Sequence, residues 1–165
     1  MHRTCIAVVD ASRARLFTFD HTDDIDGTPD TFSERTDLVN LARRKTPAQL
    51  FSDSRPGTNR TGSLQYTFDD HRDAHLDELD TEFAREIVGA IERTVRDTRA
   101  TRVIVCASPR MLGVLRASPL GRGGLVTDEL ARDYTKLTPP QIIDHLVEHG
   151  LLPAPPPRPG LTRGA

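Results

Sequence analysis

The stretch RVIVCASPRMLGVLR, from Arg102 to Arg116, decides the fold class of this chain. It begins with Val103 to Ala107, a short apolar run rich in β-branched residues, which is typical of a strand buried on both faces. Ser108 is a favoured N-cap residue and Pro109 a favoured first helical residue, so a helix is predicted from Pro109 to Arg116. A buried strand that leads straight into a capped helix indicates an α/β protein.

Three strands are predicted towards the N-terminus. Thr4 to Val9 is another continuous apolar run, and Arg13 to Phe19 follows it after the turn Asp10-Ala11-Ser12, which predicts a hairpin. A third strand is expected from Phe32 to Leu41, with alternate residues on one face, namely Glu34, Thr36 and Leu38.

Helices and one more strand are predicted in the rest of the chain. A long helix is expected from about Ala74 to Asp97, because apolar residues recur there at intervals of three and four. They form one stripe of Leu76, Leu79, Phe83, Ile87, Ile91 and Val95. An edge strand is predicted from Leu125 to Leu130, and a last helix opens at Thr138-Pro139 and closes at Gly150.

The order β-β-β-α-β-α-β-α favours an α/β fold built on a single mixed five-stranded sheet with helices on both faces. Ribonuclease H-like domains have this order of elements, so a ribonuclease H-like fold is expected. Residues 1–150 are predicted to form a single α/β domain. Residues 151–165 are proline-rich, and from Leu152 onward this tail is expected to be disordered and to contribute nothing to a core.

Composition and charge exclude several classes of protein. The net charge of −2 and the pI of about 6.3 argue against a generally basic nucleic-acid binder but leave room for a local basic patch. Cys5 and Cys106 lie in separate apolar runs and make neither a disulfide framework nor a zinc site. No segment approaches the ~20 apolar residues of a membrane span. We expect a cytoplasmic protein with no metal, no cofactor and no membrane partner.

Asp10 is the candidate catalytic residue, because it ends the first buried strand. In ribonuclease H-like nucleases an acidic residue at this place helps to bind the metal ions that activate water. The alternative, which we favour, is that Asp10 caps its own turn by hydrogen bonding to the backbone. A metal site would need converging carboxylates, and the companions in the sequence are Asp53, Asp70, Asp73, Asp128 and Asp133.

Two histidines near the start of the long helix have a spacing that metal sites use. His71 and His75 are four residues apart, so their imidazoles would share one helix face. In the zinc hydrolase motif Glu follows the first histidine, whereas Arg72 stands at that place here. We expect solvated histidines rather than ligands.

Basic residues gather in the irregular region between the third strand and the long helix. A helical turn is expected there at Pro47 to Phe51, followed by the turn-rich stretch SDSRPGTNRTGS. Arginine forks on such a loop suit phosphate groups, although neighbouring aspartates would balance their charge. Arg110 lies at a helix N-terminus, which favours anions. The predicted RNA- or phosphate-binding residues are Arg43, Arg44, Lys45, Arg55, Gly57, Arg60 and Arg110.

Several motifs in order resemble one family. They are VVDASRARLFTF, SDSRPGT, EFAREIVGAIE, VIVCASPRMLGVLR and ELARDYTKLTPPQIIDHL. Together they look like the bacterial host attachment protein family, which is similar in turn to the central domain of archaeo-eukaryotic peptide-chain release factors and their Pelota-like relatives. That resemblance implies a ribonuclease H-like sheet and a ribosome-associated role.

The matching position of the release factors' Gly-Gly-Gln loop is Ser52 to Ser63, which contains Gly57 and Gly62 but no Gly-Gly-Gln. Peptide release is therefore not expected, whereas binding without catalysis is expected. The leading hypothesis is a non-catalytic protein that binds the ribosome or another structured RNA. The alternatives are a metal-dependent nuclease or phosphohydrolase using Asp10, and an interaction module concerned with attachment. The oligomeric state stays open.

Overall fold

The computed structural model of the chain describes residues 1–23, 28–44, 65–118 and 126–155. The helical turn expected at 47–51 lies outside them, and α1 was not predicted. In chain order, the elements are β1 (His2–Val9), β2 (Arg13–His21), β3 (Thr31–Val39), α1 (Leu41–Arg44), α2 (Gln65–Thr98), β4 (Arg102–Ala107), α3 (Pro109–Ala117), β5 (Val126–Leu130) and α4 (Pro139–Glu148).

The five strands form one mixed sheet in the order β3-β2-β1-β4-β5. β2 pairs antiparallel with both β1 and β3, whereas β4 pairs parallel with both β1 and β5. The predicted single mixed five-stranded sheet is confirmed, and so is the position of β5 at an edge. Parallel neighbouring strands require a connection that crosses over the sheet. α2 belongs to the connection that leads to β4, and α3 belongs to the connection from β4 to β5.

Each face of the sheet has its own hydrophobic core, because successive residues of the central strands point to opposite faces. On β1, Cys5 and Ala7 face the core that α2 and α3 cover, whereas Ile6 and Val8 face the core that α4 covers. Helices therefore lie on both faces, as predicted. Burial raises the pKa of both cysteine thiols to about 12, so neither is a ready nucleophile.

A bulge in β3 changes which residues of that strand share a face. Leu16 of β2 pairs with Thr36 and the next residue, Phe17, pairs with Glu34, so Arg35 is the extra residue. Because an extra residue reverses the alternation, Glu34 lies on the α4 face while Thr36 lies on the other. The prediction that Glu34 shares a face with Thr36 and Leu38 is therefore wrong.

The long helix α2 is longer than its predicted range and begins at Gln65. His71 and His75 consequently lie in its second and third turns rather than at its start. No residue from 71 to 79 is buried, and burial begins at Asp80 and continues with Phe83. The apolar stripe therefore reaches the core only from Phe83 onward, and Leu76 and Leu79 are half-buried.

The C-terminal end of the described chain packs on the core. Gly150 has a φ of +68°, a conformation that glycine adopts without strain, and it turns the chain after α4 as predicted. Leu152 is buried against the α4 face of the sheet, and its backbone N–H donates to the Leu146 carbonyl at 3.2 Å. The expectation that nothing from Leu152 onward joins a core is therefore wrong at this residue.

Candidate functional site

The carboxyl ends of the three parallel strands meet at one edge of the sheet. Asp10 follows β1, Ser108 follows β4 and Ala131 follows β5. Ligand sites of α/β proteins commonly lie outside this edge, where loops and helix ends converge. A functional site of this protein is therefore expected at this edge, among the predicted residues that lie beside it.

Three ionisable side chains meet on the α2–α3 side of this edge, and we call them the arginine–aspartate cluster: Arg43, Asp80 and Arg110. Arg43 donates from Nε and Nη2 to the two carboxylate oxygens of Asp80 at 3.0 and 2.9 Å. Arg110 donates from Nε to Asp80 Oδ2 at 3.1 Å. The structure therefore brings together two predicted phosphate-binding arginines from separate parts of the chain.

Asp80 is fully buried because it lies on the core-facing side of α2, one turn before Phe83 and Ala84. A carboxylate without a partner in such a place would lose its hydration at a cost of several kcal/mol. The two-point bond from Arg43 offsets that cost, since an arginine fork matches both carboxylate oxygens. The primary role of the cluster is therefore structural, because it links α1 to α2.

Asn40 fixes the position of α1 and of Arg43. The buried side chain of Asn40 donates from Nδ2 to the Ala11 carbonyl at 3.0 Å, and its backbone N–H donates to the Ser12 carbonyl at 2.8 Å. The N–H of Arg43 in turn donates to the Asn40 carbonyl at 3.1 Å. These bonds fix α1 against the β1–β2 turn, so Arg43 is held beside Asp80.

A groove of about 600 Å³ runs between α2 and α3 beside the cluster. Arg110 lies in its wall with its side chain 54% exposed, and it also donates from Nη2 to Asp77 Oδ1 at 2.6 Å. The exposed side chain of Arg85 on α2 contributes a second cation. The groove is lined by Asp77, Thr81, Arg85, Arg110, Gly113, Val114, Ala117 and Ser118.

Asp10 caps its own turn. Its Oδ1 accepts the backbone N–H groups of Ser12 and Arg13 at 2.6 and 2.7 Å. Its Oδ2 lies within hydrogen-bonding distance of the Thr135 hydroxyl, at 2.9 Å. The structural interpretation of Asp10 is therefore confirmed, and the carboxylate joins the β1–β2 turn to the segment after β5.

The proposed acidic companions of Asp10 lie in different surroundings. Asp133 competes with Asp10 for the proton of the Thr135 hydroxyl, at 2.6 Å, whereas Asp128 pairs with Arg102 at 2.7 Å. Asp73 is exposed on α2, the side chain of Asp70 is outside the described part, and Asp53 lies outside it altogether. Within residues 1–23, 28–44, 65–118 and 126–155, no three His, Cys, Asp or Glu side chains are grouped to hold a metal ion.

Most of the other predicted basic residues have side chains outside the part of the chain that the structure describes. The backbone of Arg44 ends α1, but its side chain lies outside the described part. Lys45, Arg55, Gly57 and Arg60 lie outside the described residues. Arg116, also noted on the helix after β4, donates from Nε to Glu129 Oε2 at 2.7 Å and so links α3 to β5.

Sequence reasoning missed several residues that shape this edge. Asp80 carried a signal, because it is an acidic residue on the apolar stripe of α2, three positions before Phe83, and a buried acid needs a cation. Arg15 carried a weaker sequence signal, because it is a charged residue in a hydrophobic strand. Arg15 is buried and donates to both Glu34 carboxylate oxygens and to the Leu137 carbonyl, which secures the segment after β5.

These features define an α/β protein with a five-stranded mixed sheet and an ion-paired cluster at the carboxyl edge of its parallel strands. The family model described as "Protein required for attachment to host cells" matches residues 5–146, and the chain belongs to that family. The resemblance to host attachment proteins is thereby confirmed, but the match gives no support for similarity to release factors. No curated protein matches the chain. Among the described helices, none is long and apolar enough to cross a membrane.

Proposed function

We propose that this chain is a non-catalytic RNA-binding protein that contacts the phosphate backbone of structured RNA, ribosomal RNA foremost, at the carboxyl edge of its sheet. The observation that carries the proposal is the convergence of Arg43 and Arg110 on Asp80, beside a groove that Arg85 and Arg110 line. Arginine forks bind phosphate oxygens in the geometry that they use for carboxylates.

The local charge supports this proposal more than the whole chain does. The charged residues of the cluster and of the groove lining are three arginines, Arg43, Arg85 and Arg110, and two aspartates, Asp77 and Asp80, so together they carry one net positive charge in a chain of net charge −2. In the sequence, Lys45 follows α1 directly, and Arg55 and Arg60 come later in the same stretch before α2. A basic patch on a weakly acidic protein favours binding of nucleic acid at that patch over general attraction by the whole surface.

We further propose that the fold is ribonuclease H-like and similar to the central domain of peptide-chain release factors. The order of elements and the mixed sheet support this. The sequence that precedes α2 has no Gly-Gly-Gln, so the proposed role is binding and not peptide release.

Cosedimentation with ribosomes at moderate salt tests the proposal, with two charge reversals on exposed positions of α2 as a matched pair. Arg85→Glu alters the groove, whereas Arg96→Glu makes the same charge change about 16 Å along the helix. We expect wild type and Arg96→Glu to sediment with ribosomes and Arg85→Glu to lose most of its binding. Absence of wild-type binding, or equal loss in both variants, would overturn the proposal.

The family description favours a second candidate, an interaction module for attachment to host cells. Fractionation of producing cells distinguishes it, because an attachment protein would be found in the envelope or secreted fraction and a ribosome-associated one with ribosomes. The nuclease alternative has less support, because Asp10 Oδ1 accepts two backbone N–H groups and Oδ2 lies within hydrogen-bonding distance of the Thr135 hydroxyl.

A further inference from the structure

Arg110 contacts two aspartates whose surroundings are opposite. Asp80 is fully buried and already receives two hydrogen bonds from Arg43. Asp77 is 70% exposed and contacts Arg110 through one bond at 2.6 Å. Since exposed ion pairs contribute little to stability, the bond to Asp77 can be exchanged at small cost, whereas the bond to Asp80 is anchored in the core.

We propose that one phosphodiester group of the bound RNA occupies the α2–α3 groove, displaces Asp77 from Arg110 and is held between Arg110 and Arg85. This inference rests on the proposed function and assigns the phosphate site within it. Asp77 is then an exchangeable counter-ion that lowers the affinity of the free protein for phosphate, because a ligand must compete with a carboxylate for the same guanidinium.

The shape of the groove suits this occupant. Its volume of about 600 Å³ is open to solvent and exceeds what a single phosphate group requires. Among the residues that the structure describes, nothing lies within 4 Å of the position that a Cβ on Gly113 would take, so a sugar–phosphate chain can approach the α3 backbone there. The anchored Nε bond to Asp80 keeps the guanidinium of Arg110 oriented while Nη2 changes partner.

The matched variants Asp77→Asn and Glu78→Gln test this inference. Both remove one negative charge from exposed, adjacent positions of α2, but of the two only Asp77 bonds to Arg110 and lines the groove. Binding of a fluorescein-labelled RNA hairpin is followed by anisotropy at fixed salt. We expect Asp77→Asn to bind roughly fivefold more tightly than wild type and Glu78→Gln less than twofold more tightly.

The double variant Asp77→Asn/Arg85→Gln shows whether the tighter binding of Asp77→Asn arises in the groove. We expect the double variant to lose that gain in affinity. Inorganic phosphate and pyrophosphate serve as competitors, and stronger competition by them than by chloride at equal ionic strength indicates a phosphate site rather than general screening. Urea unfolding verifies that each variant is folded. If wild type binds the hairpin but Asp77→Asn binds no more tightly than Glu78→Gln, this inference alone fails. If no variant binds RNA, the proposed function fails with it.

Discussion

Arg43 and Asp80 lie 37 residues apart in the chain and form a two-point ion pair at 3.0 and 2.9 Å, in which the carboxylate is fully buried. This pair joins the short helix α1 to the long helix α2 at the carboxyl edge of the sheet. It also gives Arg110 a fixed anchor, because the same carboxylate accepts its Nε. One buried acid therefore organises the surface that we propose for RNA.

Replacing Asp80 removes the anchor of both arginines. Asp80→Ala is expected to lower the free energy of unfolding by about 3 kcal/mol, the lower end of the range for breaking a buried ion pair, because both arginines can partly reach solvent. Urea unfolding at neutral pH measures this change.

Asp77→Asn is the control for the Asp80 prediction, because Asp77 is an exposed partner of the same Arg110. It is expected to cost less than about 1 kcal/mol. Equal costs for the two variants would mean that Asp80 is no more buried than its neighbour and would contradict the structure at this point.

The Thr135 hydroxyl joins two segments of the carboxyl edge. It lies within hydrogen-bonding distance of Asp10 and Asp133, but a hydroxyl has one proton and donates to one of them at a time. Thr135→Val is expected to lower the free energy of unfolding by about 1–2 kcal/mol, because Thr135 is buried. In a double-mutant cycle with Asp10→Asn, we expect a coupling of at least about 0.5 kcal/mol. Additive costs would show that the bond to Asp10 contributes nothing.

His21 makes the stability depend on pH. Its hydrogen bond to Asp30 at 2.8 Å raises the pKa of the imidazole above its ordinary value of 6.5, and Asp23 faces the other ring nitrogen at 3.1 Å. A raised pKa stabilises the fold fully below that ordinary value, and the contribution is lost as the pH rises through the folded-state pKa.

Asp30→Asn should therefore cost more unfolding free energy at a pH of about 5.5 than at a pH of about 9, and NMR titration should show a lower pKa for His21 in the variant. Asp23→Asn, at a more exposed carboxylate, is expected to have the smaller effect on that pKa. A His21 pKa that does not change in Asp30→Asn would contradict the assigned cause.

Local patterns predicted most of the fold because its central strands are continuous apolar runs with clear boundaries. The Ser108 cap was predicted from residue type alone, and its Oγ accepts the Met111 N–H at 3.4 Å. The bulge at Arg35 was missed because β3 is a polar edge strand whose alternation gives little indication of register.

The arginine–aspartate cluster was only half predictable. Residue type indicated that Arg43 and Arg110 suit anions, but it could not show that their nearest anion is Asp80, because that pairing depends on how α1 and α3 pack on α2. Leu152 was assigned to a disordered tail because two apolar residues after a helix-ending glycine carry no periodic signal. Its burial follows from the turn at Gly150, which returns the chain to the sheet.

Leu152 should contribute to the core like any other buried leucine. Leu152→Ala is expected to lower the free energy of unfolding by about 2–3 kcal/mol, since the residue is 5% exposed and contacts the α4 side of the sheet. Leu41→Ala is the control at an exposed leucine, with an expected cost below about 0.5 kcal/mol. Chemical denaturation of both variants measures the difference, and a cost for Leu152→Ala as small as that of the control would place it outside the core.

The most direct measurement of the central claim is the salt dependence of RNA binding by wild type and by Arg110→Gln. Each phosphate contact releases counterions, so the slope of log K against log salt concentration counts the contacts. We predict that wild type binds a structured RNA with a clearly negative slope and that Arg110→Gln binds more weakly with a slope smaller by about one. Absence of binding by wild type, or an unchanged slope and affinity in Arg110→Gln, would contradict the account.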